Sequence, residues 1–224
     1  MITKELKKRI LSSIILIPIT IFFIFQEKLF FAFFLSIFLL VTCYEWIKLT
    51  KIHYLKIIGV CYLFFAFILA FFLREKFSIG LFLLVLIISI FTDIGGYIFG
   101  KIFKGPKLIK ISPKKTYAGS LGGFILSLSA ALIYSKYTLN AADTNLNLSL
   151  LTRIAEDKVY FLFVLFISFV SQMGDLMISY FKRLAKVKDT GNLLPGHGGL
   201  LDRLDGIIFA IPASYIILTC MNIK

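Results

Sequence analysis

This sequence predicts an all-α, polytopic integral membrane protein with about seven transmembrane helices and a cytoplasmic N-terminus. Three observations carry that prediction. Hydrophobic residues make up 59% of the 224 and charged residues only 17%, below the roughly 25% usual in soluble domains. Apolar runs recur along the whole chain, close to the ~20 residues that a bilayer-spanning helix needs. The cations between those runs alternate in density, as the positive-inside rule requires.

The predicted spans are 10–25, 29–43, 57–73, 77–92, 120–137, 159–178 and 206–221. The first follows K-E-L-K-K-R, lacks a small-x-small cleavage site and is succeeded at once by another apolar run, so it reads as an uncleaved helix. At 1.5 Å per residue the first two spans are short, about 24 and 22 Å. Pro18 and Pro212 are expected to kink their helices, which neighbouring helices tolerate in lipid. Trp46 with Tyr44 and Tyr54 reads as an interfacial belt. Cys43, Cys61 and Cys220 lie in or beside apolar runs without C-x-x-C spacing and read as small core residues.

With the N-terminus inside, the cytoplasmic segments hold Lys4, Lys7, Lys8 and Arg9; Lys48, Lys51 and Lys56; Lys101, Lys104, Lys107, Lys110, Lys114 and Lys115; and Lys182, Arg183, Lys186, Lys188 and Arg203. The outside keeps Lys28, Arg74, Lys76, Lys136, Arg153, Lys158 and Lys224. Two long charged loops, 93–119 and 179–205, then share the cytoplasmic side. The net charge of +13 sits between spans and not on a soluble face, which argues against a nucleic-acid partner and for anionic headgroups or anionic substrates. No separate soluble domain is expected. Residues 1–92 supply the first four helices, and 93–224 supply both loops and the last three helices.

The second loop carries the densest chemistry. Residues 179–205 read S-Y-F-K-R-L-A-K-V-K-D-T-G-N-L-L-P-G-H-G-G-L-L-D-R-L-D, and charge beside a bilayer is costly enough to mark a functional site. Helical periodicity puts Ser171, Asp175, Ser179 and Lys182 on one stripe where the sixth span leaves the membrane. The structural alternative is a helix–helix hydrogen-bond seam. Pro195, Gly196, His197, Gly198 and Gly199 form a turn that lets backbone N–H groups approach an anion; His197 there either donates to phosphate or braces the turn. Asp202 and Asp205 project from one face if helical. With cations nearby they suit Mg²⁺, which takes one or two carboxylates and completes its shell with water and phosphates; the alternative is charge complementation of a helix N-terminus.

The first loop opens with Asp93 and G-G-Y-I-F-G-K and ends in S-P-K-K-T-Y-A-G. Ser112, Pro113, Lys114, Lys115 and Thr116 make a basic turn flanked by hydroxyls, fit for phosphate oxygens. It lacks the glycine spacing of a P-loop, and a basic membrane-surface loop is the plain alternative.

These segments resemble the phosphatidate cytidylyltransferase (CDP-diacylglycerol synthase) family. Residues 179–205 fit its signature of S-x-apolar-K-R, four residues, K-D-x-small, two residues, apolar-P-x-H-G-G-apolar-x-D-R-apolar-D. Upstream, the chain is similar to the family's D-x-x-x-Y-x-x-G-K and S-P-x-K-T-x-x-G elements. It departs from the pattern at Lys104-Gly105, where Gly then Lys is more usual, and at Tyr117-Ala118, where Trp and an acidic or amide residue are common. It is also shorter than usual members, and the expected difference is an N-terminal helix.

The resemblance implies CTP + phosphatidate → CDP-diacylglycerol + diphosphate, in an all-helical enzyme of the inner (plasma) membrane with its active site on the cytoplasmic side. It implies Mg²⁺ as cofactor, leaves a second, monovalent cation open, and is compatible with a homodimer. Carried over by position, Asp175, Asp202 and Asp205 are the expected metal-binding carboxylates and, with Lys182 and His197, the expected catalytic set. Ser179, Arg183, Lys188, Asp189, Gly198, Gly199 and Arg203 from the second loop, and Asp93, Ser112, Lys114, Lys115 and Thr116 from the first, are the expected substrate contacts. A CTP-dependent lipid kinase and an anion transporter are the rival readings. The transporter predicts paired broken helices and repeat symmetry, which the sequence does not show.

Overall fold

A computed structural model describes residues 4–108, 112, 115–140, 158–193 and 198–221 of the chain. Among them the order is α1 (Lys4–Phe25), α2 (Lys28–Leu49), α3 (His53–Phe72), a π-helical turn (Leu73–Phe77), α4 (Ile79–Phe103), α5 (Tyr117–Asn140), α6 (Lys158–Leu184), the short α7 (Leu201–Leu204) and α8 (Ile207–Cys220). The described residues contain no strand, only one isolated antiparallel bridge between Lys107 and Thr116. Five helices are long and apolar enough to cross a bilayer, α2 to α6, with α3 counted through Phe77. Two apolar helices are shorter, Ile14–Phe25 and Ile207–Cys220. This is the architecture of a multi-pass membrane protein.

Every predicted span is a helix, but most overrun their apolar runs. The largest correction is in α4. The expected end at residue 92 was set by Asp93 and the Gly95-Gly96 pair, yet the helix continues to Phe103, and the connection to α5 shrinks to residues 104–116. The glycines are there for close packing. A Cβ on Gly95 would lie 2.9 Å from the Gly123 Cα and closer still to the Gly122 carbonyl, and one on Gly119 would lie 2.7 Å from the Gly96 carbonyl oxygen. Gly95 on α4 and the small-xxx-small pair Gly119 and Gly123 on α5 thus let the backbones touch. Behind this pair, α6 joins α4 through a buried Thr92 Oγ1···Ser168 Oγ hydrogen bond of 2.7 Å. The main core lies where α4, α6 and α8 meet, around Ile88, Val164, Ile167 and Ala210.

Buried backbone groups in lipid must find partners inside the protein, and two side chains supply them at irregular points. Pro212 lies inside α8, has no N–H and leaves the Ile208 carbonyl without its intrahelical donor. The Tyr62 hydroxyl of α3 donates to that oxygen at 3.1 Å. At the other end of the bundle, Arg74 is only 7% exposed. It donates to the Ile24 carbonyl at 2.8 Å and to the Gln26 carbonyl, pairs with Glu75 and lies over the Phe31 ring. It thereby caps the C-terminal carbonyls that α1 leaves open.

Trp46 is the second correction. It is 6% exposed, its indole N–H donates to the Leu55 carbonyl at 3.0 Å, and its ring meets Phe181 edge-on. It is a core residue locking α2 to α3 and α6, while Tyr44 and Tyr54 are exposed. Of the three cysteines, Cys43 is buried, while Cys61 and Cys220 are exposed. Lys104 and Gly105 both take left-handed φ, 53° and 68°. Lys104 therefore holds a strained conformation at the position where the resembled family more often has glycine.

Candidate active site

The two charged segments meet at one end of the bundle. Lys115, from the 104–116 connection, forms an ion pair with Asp175 on α6. The connection is shaped for this: the Lys115 N–H closes a turn onto the Ser112 carbonyl at 3.0 Å, and the Leu108 N–H donates to the Lys115 carbonyl at 2.8 Å. Thr116 accepts from the Gly119 N–H at 3.1 Å and so caps the start of α5. Lys115, Thr116 and Asp175 face a cavity of about 230 Å³ between α4, α5 and α6, whose wall also includes Asp93, Ser120 and Gln172. The Ser120 hydroxyl donates to the Gln172 carboxamide oxygen, which ties α5 to α6 at the cavity floor.

Asp205, at the α7–α8 junction, completes an acidic group. It is 7% exposed, its Oδ1 accepts from the Gly206 N–H at 2.9 Å, and its carboxyl lies within hydrogen-bonding reach of Asp175. Burial, reinforced by the charges of Asp175 and Asp93, holds this carboxyl well above the usual carboxylate range, with Lys182 pulling the other way. Asp93 feels the charges of Asp175, Lys115 and Arg203. On α6, the Ser179 hydroxyl donates to Asp175 Oδ1 at 3.3 Å, which joins two members of the expected stripe, while Lys182 turns to Asp202.

Asp202 behaves differently. Its Oδ1 accepts from Lys182 Nζ at 2.8 Å, and its Oδ2 accepts from the N–H groups of Thr190 and Gly199 at 2.7 and 2.9 Å and lies 3.0 Å from the Thr190 hydroxyl. Both oxygens are therefore occupied in folding the second loop, and Lys182, bonded to Asp202, is near enough for its charge to act on Asp205. Among the described residues no three His, Cys, Asp or Glu side chains form a metal-holding group. The structure brings Asp175 and Asp205 together and commits Asp202, with Lys182, to the loop.

Gly198 has φ +89°, and a Cβ there would sit 2.8 Å from Asp202 Oδ2, so the loop requires glycine at this point. Gly199 is buried against Thr190 and Glu45. Arg183, Lys188, Asp189 and Arg203 are exposed. Lys114 and His197 lie outside the described residues.

Glu45 was missed. It is 3% exposed in α2, and its carboxylate accepts from the Leu200 and Leu201 N–H groups at 2.9 and 2.8 Å and lies 3.1 Å from the Thr190 hydroxyl. The available signal was a lone carboxylate beside an apolar run.

Residues 53–221 match the model of the cytidylyltransferase family. The chain is 34% identical over 213 residues, 93% of its own length and 90% of the relative's, to a phosphatidate cytidylyltransferase of Rickettsia felis. It is 42% identical over 131 residues to one of Staphylococcus haemolyticus and 38% identical over 133 residues to one of Bacillus subtilis. Those two alignments cover 58% of this chain in each case, and 45% and 44% of the relatives. The chain thus matches a little under half the length of these two and nearly all of the Rickettsia protein.

Proposed function

This chain belongs to the cytidylyltransferase family, and we propose that it transfers the cytidylyl group of CTP to phosphatidate, giving CDP-diacylglycerol and diphosphate. The observation that carries the reading is the Lys115–Asp175 ion pair, which ties the first charged segment to α6 just before the second begins, beside a cavity at one end of a membrane bundle. Such a place is reached by a lipid headgroup from the bilayer and a nucleotide from water. The cation asymmetry supports the cytoplasmic side of an inner membrane for that end.

The chemistry asks for charge control more than for a base. A phosphomonoester has its second pKa near ~6 and is largely ionised at neutral pH. One of its oxygens bonds to the α-phosphorus, the bond from that phosphorus to the bridging oxygen breaks, and diphosphate leaves with the electron pair. The barrier lies in bringing two polyanions together in line and in the charge left on diphosphate. Lys115 and Arg203 lie close enough to the acidic group to hold phosphates there, and Ser179 orients Asp175. The donor set suits Mg²⁺: two adjoining carboxylates, Asp175 and Asp205, with Asp93 nearby, match an ion that takes one or two carboxylates and fills its shell with water and phosphate. Bound there, a divalent ion would neutralise phosphate charge. Lys182 and Asp202 hold the second loop against α6, so both act through its shape.

In mixed micelles with CTP and Mg²⁺, the purified chain is expected to release diphosphate only when phosphatidate is present, one for each lipid converted. Diacylglycerol should not replace phosphatidate. Turnover on diacylglycerol, with CDP as the nucleotide product, would instead identify a lipid kinase.

A further inference from the structure

Glu45 lies outside the residues matched by the family model, which begin at 53, and it does not line the acidic cavity. A carboxylate this deeply buried is tolerated only when its oxygens are hydrogen-bonded. Here the donors come from far along the chain. Leu200 precedes α7 and Leu201 begins it, so their N–H groups are among those a helix start leaves open. Glu45 takes one on each oxygen, at 2.9 and 2.8 Å. The Thr190 hydroxyl lies 3.1 Å from Glu45 Oε2 and 3.0 Å from Asp202 Oδ2, linking the two carboxylates. Two glycines make room: a Cβ on Gly191 would come within 2.9 Å of Glu45 Oε1, and one on Gly199 within 2.5 Å of Oε2. The neighbouring Trp46, fixed by its bond to the Leu55 carbonyl, prevents α2 from rotating the carboxylate away.

We propose that Glu45 is a positioning residue for the reaction: an anionic strut on α2 that holds Thr190 and the Leu200–Leu201 backbone and thereby sets where Asp205 stands against Asp175. It acts through the backbone and touches no substrate. This rests on the cytidylyl-transfer reading above.

Glu45→Gln keeps the side-chain shape but turns an amide N–H towards backbone donors. It is expected to lower kcat by about 10- to 100-fold, the usual cost of losing a residue that supports an active-site ligand. KM for CTP and for phosphatidate should stay within about threefold, because no binding contact is lost. Amide exchange in 198–205 should accelerate, while α4 and α5 keep their protection. Wild-type kcat in the variant, or exchange accelerated equally in every helix, would overturn the proposal. Should Glu45→Gln fail to fold, Thr190→Val decides: a several-fold lower kcat at unchanged KM is expected, and an unchanged kcat overturns it. The exchange comparison needs no turnover. If the wild type transferred no cytidylyl group, the reaction would be wrong, while unchanged exchange in 198–205 would refute the strut by itself.

Discussion

Replacing Asp205 by asparagine is expected to abolish turnover, by about 10³-fold, while leaving the protein folded and inserted. The two halves of that expectation come from the same geometry. Asp205 is 7% exposed, adjoins Asp175 and feels the charge of Asp93. Asparagine preserves its shape and can still accept from the Gly206 N–H through its carbonyl oxygen. It removes a buried carboxyl whose ionisation two neighbouring carboxyls oppose, so the fold should gain or hold stability as catalysis is lost. That trade is usual where a site is kept strained for function. Initial rates with CTP and phosphatidate, set beside the thermal midpoint in detergent, read both quantities. Near-normal activity would remove Asp205 from the site, and a lower midpoint would make it a structural residue.

A single methyl group at Gly95 is expected to have the largest effect on folding. The obstruction is backbone on both sides: the Gly122 carbonyl and the Gly123 Cα stand where the new carbon would go, and no side chain can swing clear. Overpacking of this kind costs about 1–3 kcal/mol. The cost falls on the helix pair that carries Asp93 on one member and is fed by Lys115 and Thr116 at the start of the other. Gly95→Ala should therefore lower both the thermal midpoint and the yield of folded protein. Gly96→Ala is the internal control, since the nearest atom to a Cβ there is the Gly119 carbonyl oxygen at 3.9 Å. The adjacent substitution should leave the midpoint nearly unchanged. Equal behaviour of the two variants would show that α4 and α5 do not meet through this seam.

Much of the bundle was legible because it depends on local pattern. The apolar runs place all seven predicted helices, and 3.6-residue periodicity places Asp175 and Ser179 on one stripe, where the hydroxyl does bond the carboxylate. That the two charged segments share one end follows from the alternation of cations, and Asp93 of the first lies close enough to Asp205 of the second for their charges to interact.

What escaped depends on partners distant in sequence. Gly95 and Gly96 look the same in a turn as in a helix packed on another helix, so α4 was ended near Asp93, about ten residues short. Glu45 gains its meaning from donors 145 to 156 residues away. Asp202 and Asp205 share a spacing that suits one shared role. Only the position of Lys182, the Thr190 amide and the Gly199 amide separates a loop-folding carboxylate from one that adjoins Asp175. Trp46 beside Tyr44 suggested an interfacial belt, and nothing local indicates that the indole reaches back to Leu55.

The most direct measurement follows two labels through one turnover. CTP carrying distinguishable labels on its α- and γ-phosphates is supplied to the purified wild-type chain with phosphatidate and Mg²⁺, and the lipid and aqueous phases are separated. If the acidic group of Asp175 and Asp205 serves attack at the α-phosphorus, the α label enters the lipid phase and the γ label stays in water as diphosphate. The γ label in the lipid, with the α label left in water, would contradict the account.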